Sequence, residues 1–379
     1  MKKTALIFLC ILLVSVNIFT EERKSSSNQE KYFAMAKVPP LSDFEYELTE
    51  DMEGVKITEY KGEALHVLIP NEIEGLPVVE LGNYSFSSRK KMETIIIPDT
   101  VKKIGRYVFN FCDKLKNIRL SKAITSIVEG MFSSCESLEE FIIPDHIINI
   151  ESSAFSHTGI ISIYLPDRIT FRSKSFFEEY ETSTFVFNGC KNLKKVRLPS
   201  SITVIGDKMF SRCTSLQNII LPEGLTKIGE SAFADCPFTE LTIPNTVTTI
   251  LSDAFYGYKG KKLIIPDSVT KLDCSFSSCK NLEYLRLPNS LTEIGSELFH
   301  SKTALSDNSS ALVSVNLPES LQKIGYHTFQ ELTSLKELII PDSLTEVTFA
   351  DNSIFLGTNL PLLTQKRLKE LGYKGKFNK

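Results

Sequence analysis

The sequence repeats with a period of 22 or 23 residues, and this period restricts the possible folds more than any other feature. Two longer intervals, Pro166 to Pro199 and Pro288 to Pro318, contain inserted surface loops near 178–187 and 301–310. Self-similarity at a fixed period of this length indicates a solenoid or another array of small structural units. Prolines preceded by alternating apolar residues mark the repeats, and Ser121 fills the one vacant place: Pro70, Pro98, Pro144, Pro166, Pro199, Pro222, Pro244, Pro266, Pro288, Pro318 and Pro341.

The repeat at 213–233, CTSLQNIILPEGLTKIGESAF, shows how each unit should fold. The alternation before Pro222 predicts a short strand, which the proline ends because it has no N–H for a continuing ladder. The apolar residues after the proline lie three or four apart, and this spacing predicts a helical or 3₁₀ turn that returns over the strand. We therefore expect an α/β solenoid of about twelve coils with a parallel sheet on its concave face.

Phenylalanine is the abundant aromatic residue, with 25 Phe against 12 Tyr and no Trp, and the repeat explains the excess. Stacked coils would place the recurring rings above one another as a spine. We interpret this column as core packing, because a ligand-binding aromatic box would not recur in every coil. Eleven phenylalanines share one repeat position: Phe86, Phe109, Phe132, Phe155, Phe176, Phe210, Phe233, Phe255, Phe276, Phe299 and Phe329.

A single coil cannot bury enough apolar surface to fold alone, so the repeats stabilise one another and the two ends need caps. Residues 43–69 resemble a hairpin and are expected to form the N-terminal cap, followed by leucine-rich repeats over 70–347. Residues 348–379 are expected to form a C-terminal cap helix, within 360–371, and a basic tail.

The first twenty residues form a separate segment. Met1-Lys2-Lys3 and the apolar run after it are typical of a signal peptide, and an uncleaved N-terminal anchor is the alternative. Cys10 has too little apolar sequence before it for a lipid-attachment site. Residues 21–42 are expected to be a linker. The rest of the protein is then exported, to the periplasm, the outer surface or the medium, and touches a membrane only through an uncleaved N-terminal segment.

The composition and motifs exclude several classes of function. A net charge of −3 argues against nucleic acid as the partner. The five histidines belong to no motif, no nucleophile elbow, P-loop or dinucleotide-binding fingerprint occurs, and so we expect neither an enzyme nor a metal or cofactor site. Cys274 is outside a cysteine column that we interpret as buried thiols, although neighbouring pairs could be bridged. The column comprises Cys112, Cys135, Cys190, Cys213, Cys236 and Cys279.

The residues two and four before each proline should point away from the core, onto the concave face of the sheet. These positions include Tyr and Arg, which are common hot spots of protein interfaces, and isoleucines that could instead be simple strand formers. We expect a protein ligand to bind here, with these residues as candidates: Arg119, Tyr164, Lys195, Arg197, Ile220, Ile264, Tyr284 and Arg286.

Two segments show a family likeness most clearly: IIPDTVKKIGRYVFNFCDKL at 96–115 and LPEGLTKIGESAFADC at 221–236. They resemble the BspA-like leucine-rich repeat family of bacterial surface proteins. The resemblance implies an exported, right-handed leucine-rich repeat solenoid that binds proteins, often as an adhesin for host or extracellular-matrix components. The alternative is a self-associating or structural module of the envelope, in which exposed isoleucines pair two solenoids into a homo-oligomer.

Overall fold

The computed structural model describes residues 29–172, 184–299 and 311–377. The expected signal segment 1–20, Phe176 and most of the two inserted loops lie outside the described residues. The chain divides into two compact units. Unit 1 contains the described residues up to Ile124 together with Cys135–Leu138. Unit 2 contains Thr125–Ser134 and the described residues from Glu139 onward.

Unit 1 begins with a helical turn at 29–33 and a 3₁₀ turn at Leu41–Asp43, and then forms two sheets. β1 and β2 make an antiparallel hairpin, β2 pairs in parallel with β5, and β5 with β7, while β4 pairs antiparallel with β5. The second sheet is parallel, in the order β3-β6-β8. The strands are β1 (Phe44–Leu48), β2 (Val55–Tyr60), β3 (His66–Leu68), β4 (Glu72–Ile73), β5 (Leu76–Leu81), β6 (Thr94–Ile96), β7 (Lys103–Ile104) and β8 (Asn117–Arg119).

In unit 2, strands directly before the prolines form one set of parallel ladders. We call these the pre-proline strands, a term that also covers β3, β6 and β8 of unit 1. They pair as β11-β12 and as β16-β18-β20-β22. The pre-proline strands of unit 2 are β11 (Ser162–Tyr164), β12 (Lys195–Arg197), β16 (Lys262–Ile264), β18 (Tyr284–Arg286), β20 (Ser314–Asn316) and β22 (Glu337–Ile339).

Two-residue strands after the prolines form the other set of parallel ladders in unit 2. They pair as β9-β10, β13-β14-β15-β17 and β19-β21-β23, and the helix α1 (Leu362–Glu370) follows the last of them. These post-proline strands are β9 (Ser126–Ile127), β10 (Asn149–Ile150), β13 (Val204–Ile205), β14 (Lys227–Ile228), β15 (Thr249–Ile250), β17 (Lys271–Leu272), β19 (Glu293–Ile294), β21 (Lys323–Ile324) and β23 (Thr348–Phe349).

The return segment of the coil is not helical, so the prediction of a helical or 3₁₀ turn was wrong. Its first part is a post-proline strand, and the residues two before and two after the column phenylalanine have positive φ. Around Phe210 these are Lys208 (φ 54°) and Arg212 (φ 60°), and the same pair recurs in most coils. A right-handed helix cannot contain such residues. Two sharp turns therefore close most of the coils.

The column phenylalanines are buried and form runs of neighbouring rings. In unit 2 the centroids of Phe155 and Phe187 lie 5.6 Å apart, those of Phe187 and Phe210 5.5 Å, and those of Phe210 and Phe233 5.8 Å. The repeat spacing predicted Phe176 at the place between Phe155 and Phe210, and Phe187 occupies that place instead. The loop is inserted before the phenylalanine of this coil, and the spacing from Phe187 to Cys190 matches the other coils. Buried members are Phe86, Phe109, Phe132, Phe155, Phe187, Phe210, Phe233, Phe255, Phe276, Phe299, Phe329 and Phe355.

The cysteine column forms a hydrogen-bonded ladder between coils. Each thiol donates to the carbonyl of the column phenylalanine in the preceding coil, for example Cys213 Sγ to Phe187 O at 3.2 Å and Cys236 Sγ to Phe210 O at 3.1 Å. Burial raises the pKa of Cys236 to about 12 and that of Cys190 to about 11. All seven described cysteines are free and buried, so the thiols stay protonated at neutral pH and serve as packing groups.

Candidate protein-binding surface

The pre-proline face, defined by the residues two and four before each proline or Ser121, exposes large apolar side chains in unit 2. Tyr164 is 46% exposed, Ile220 79% and Ile264 43%. Lys195 and Arg197 are also exposed, whereas Tyr284 and Arg286 are half-buried. Unit 2 thus carries seven of the eight predicted binding residues, spread over several coils of one face.

Arg197 is held in place by three contacts that come from the preceding coil. Its guanidinium lies 4.6 Å from the centroid of the Tyr164 ring, donates to Leu165 O at 3.0 Å and pairs with Asp167 at 3.0 Å. Asp167 also accepts a hydrogen bond from the Ser200 backbone N–H at 2.7 Å. That bond and Arg197 keep the pKa of Asp167 below its usual value. The Tyr164–Arg197 pair is therefore preorganised on the surface.

Arg286 repeats the pairing with a carboxylate of the preceding coil, further along unit 2. It pairs with Asp267 at 2.6 Å, and Asp267 accepts a bond from the Asn289 backbone N–H at 2.8 Å. Arg286 and Asn289 keep the pKa of Asp267 low. The neighbouring Tyr284 ring carries the Lys262 ammonium 5.2 Å from its centroid. Each arginine is thus fixed by a carboxylate of the preceding coil, and Arg and Tyr are both common at interface hot spots.

Unit 1 differs, because a segment before the repeats occupies its pre-proline face. Arg119 pairs with Glu30 at 3.2 Å and lies 4.4 Å from the centroid of the Phe33 ring. The outward residues Thr94 and Ile96 of β6 are buried. Lys37 also pairs with the free edge of β3, so part of the expected linker 21–42 packs against the sheet. Arg119, a predicted binding residue, is thus already engaged within the chain.

A groove opens in the pre-proline face of unit 2 where the sheet is interrupted. Neither Asn218–Ile220 nor Glu240–Thr242 forms a strand, and β16 starts a new sheet. The groove beside β16 has a volume of ≈ 1260 Å³, and its walls include Leu241 and Ile264. Leu241 in the groove wall is half-buried, whereas Leu263 at the same repeat position in β16 is buried.

Tyr258 accounts for the break between Glu240–Thr242 and β16. It stands three residues after Phe255, in the place that cysteine holds in neighbouring coils, and it is buried. Its hydroxyl donates to Lys262 O at 3.0 Å and lies 3.4 Å from Thr239 O, so the phenol separates the two segments. Burial raises the pKa of Tyr258 to about 12, which keeps the hydroxyl a donor. This site was not predicted from the sequence, although an aromatic residue in the cysteine column marks it.

Neither a metal-ligand cluster nor a membrane-spanning helix is found in the part of the chain that the structure describes. No group of three or more His, Cys, Asp or Glu side chains there could hold a metal ion. Within the same residues no helix has the length and apolarity needed to cross a bilayer.

Comparison with known proteins defines the class. The model of the "BspA type Leucine rich repeat region" matches residues 67–184, 180–306 and 306–372. A leucine-rich repeat protein from Bacteroides ovatus is 22% identical, with a TM-score of 0.63 over 89% of this chain and 98% of that chain. A leucine rich cell surface protein from Faecalibacterium prausnitzii is 23% identical, with a TM-score of 0.50 over 81% of this chain and 95% of that chain. A search of curated proteins found no match.

The fold is that of the leucine-rich repeat proteins, a solenoid of about twelve turns with parallel sheets and little helix, as the sequence predicted apart from the return turns. The chain belongs to the BspA-type leucine-rich repeat family, whose model covers well over half of its residues. Family membership establishes a repeat protein and leaves the ligand to be argued from the surface.

Proposed function

We propose that this protein is an exported, non-enzymatic module that binds other proteins through the pre-proline face of unit 2, as an adhesin for host or extracellular-matrix proteins. The observation that carries the proposal is the row of exposed Tyr164, Ile220 and Ile264, 46%, 79% and 43% accessible, on one face. Large apolar side chains that are exposed at the same repeat position along one face favour an interaction surface.

The two arginine sites support the same proposal. Arg197 and Arg286 are fixed by Asp167 and Asp267, so less side-chain entropy is lost when a ligand binds. Cell-surface members of the fold, such as the protein from Faecalibacterium prausnitzii, support an exported location. Protease treatment of intact cells would test that location, since a periplasmic protein would be protected and an exposed one cleaved.

Binding to immobilised fibronectin, laminin and collagen, measured by surface plasmon resonance, tests the function. We expect Tyr164→Ala to weaken binding to the recognised protein about 30-fold, the effect of a hot-spot residue worth about 2 kcal/mol. Tyr326→Ala is the matched control, because Tyr326 is 55% exposed but lies outside the pre-proline face. Binding that is unchanged by Tyr164→Ala, or no binding to any of the three proteins, contradicts the proposal.

Self-association is the second candidate, and the 79% exposure of Ile220 favours it. Two solenoids could then pair through the isoleucines of this face. Sedimentation velocity decides between the two functions. A tight dimer that Ile220→Asp or Ile264→Asp dissociates would support a structural module, whereas a monomer that binds a matrix protein supports the adhesin.

A further inference from the structure

We propose that the free edge of β16 binds an extended acidic segment of a partner protein, which adds to the sheet as a further strand. This inference deepens the proposed function, on which it rests, by naming the part of the face and the chemistry of the ligand. It is carried by three observations, namely an unpaired strand edge, an equivalent edge in unit 1 that is already filled, and unpaired lysines around the groove.

The edge of β16 has hydrogen-bonding groups that no other strand uses. Ile265 N–H donates to Arg286 O, so the odd-numbered residues of this strand face β18. In a parallel ladder the alternate residues Lys262 and Ile264 then direct their backbone groups to the opposite edge. The Lys262 carbonyl accepts from Tyr258 and keeps a second lone pair. The Ile264 N–H has no acceptor among the described residues.

The edge of β3 in unit 1 shows how such an edge is filled. β3 pairs with β6 as β16 pairs with β18, which makes His66 and Leu68 the counterparts of Lys262 and Ile264. There, Lys37 N–H donates to His66 O at 3.4 Å, and Leu68 N–H donates to Lys37 O at 2.9 Å. A residue from outside the repeats thus adds to the first sheet in parallel orientation.

A short sequence precedes both edges. Tyr60-Lys61-Gly62 lies before β3 and Tyr258-Lys259-Gly260 before β16, and Tyr373-Lys374-Gly375 lies in the last coil. A Cβ on the glycine would lie 2.4 Å from the Tyr60 hydroxyl and 2.3 Å from those of Tyr258 and Tyr373, so the three share one local structure. The start of β16 therefore resembles the edge at β3, although β16 lies within the repeats.

The charges around the groove select an acidic ligand. Lys261 is paired with Glu283 at 2.7 Å and Arg286 with Asp267, which neutralises these side chains. Lys259, Lys262 and Lys280 are exposed and form no ion pair with the described residues. The single remaining acidic residue of the described groove wall is Glu240. An extended peptide carrying carboxylates would satisfy both the lysines and the strand edge.

Fluorescence anisotropy with a capped, fluorescein-labelled heptapeptide of alternating Glu and Val tests the proposal on the full chain. We expect Lys259→Glu/Lys262→Glu to weaken binding at least tenfold. The control Lys114→Glu/Lys227→Glu, at exposed lysines outside the groove, should change it less than twofold. A fully N-methylated peptide, which cannot pair with a strand, should not bind. Hydrogen exchange at Ile264 should slow when the unmodified peptide binds.

Several results would overturn the proposal. Equal binding of the N-methylated peptide, or of a peptide with Lys in place of Glu, would show that no acidic strand is added. A dimer of the protein alone that Lys259→Glu/Lys262→Glu dissociates would show that a second copy occupies the edge. Tyr164→Ala separates this proposal from the proposed function: matrix-protein binding that depends on Tyr164, without any peptide binding, leaves the function standing and refutes the edge site.

Discussion

The two units are built from the same kind of coil but differ in the pre-proline face, which is covered in unit 1 and exposed in unit 2. In unit 1, Glu30 and Phe33 contact Arg119, and Lys37 closes the edge of β3. In unit 2, the edge of β16 is open and Tyr164 and Ile220 are exposed. Since both units carry the same phenylalanine column, the core does not decide which face is available. Residues that do not follow the repeat pattern determine whether the pre-proline face is covered or exposed.

The test with the largest expected effect concerns the buried phenylalanine column, which both units contain. We expect Phe109→Ala in unit 1 and Phe233→Ala in unit 2 each to lower the free energy of unfolding by about 3–5 kcal/mol, because each leaves a large buried cavity. Urea unfolding measures the loss. Phe185→Ala is the control, since Phe185 is 36% exposed. A loss below about 1 kcal/mol in one unit alone would show that the phenylalanine column does not stabilise both units in the same way.

The second test is of the spacing between coils. A Cβ at Gly105 in unit 1 would lie 2.4 Å from Asn83 N, and one at Gly229 in unit 2 would lie 2.8 Å from Asp207 N. We therefore expect Gly105→Ala and Gly229→Ala to cost about 1–3 kcal/mol each, measured by urea unfolding.

Gly295 is the matched control for this test. It follows Ile294 as Gly229 follows Ile228, yet a Cβ there would meet nothing within 4 Å. Gly295→Ala should be neutral or slightly stabilising, because it restricts the unfolded chain. Equal losses of unfolding free energy at all three glycines would show that glycine is not needed for the close approach between coils.

The smallest expected effect concerns the covered face itself. Glu30→Ala/Phe33→Ala removes the exposed ion pair and the ring over Arg119, contacts worth about 1 kcal/mol together. We expect faster hydrogen exchange at the Leu68 amide, which bonds to Lys37 O. Lys31→Ala, on the same helical turn, is the control. Unchanged exchange at Leu68 in the double variant would show that the segment is held by something other than Arg119.

The strands that recur with the repeat period could be predicted from the sequence. The return turns and the segments that depart from the repeat could not. The pre-proline strands follow from alternating apolar residues that proline ends. The return turns were misjudged because positive φ at residues such as Lys208 and Arg212 leaves no trace in apolar spacing. The contacts of Glu30 and Phe33 lie in a polar, non-repeating segment. By contrast, Tyr258 in the cysteine column and the threefold Tyr-Lys-Gly are visible signals that interrupt the pattern.

The thiol ladder has a consequence for how such a gene can change length. Each column cysteine bonds only to the coil before it, as Cys213 does to Phe187 O and Cys236 to Phe210 O. A duplication or deletion of one whole coil therefore leaves every buried thiol with a carbonyl acceptor. Recombination between repeats can lengthen or shorten the protein by single coils, and the pre-proline face then changes while the packing of the interior is kept.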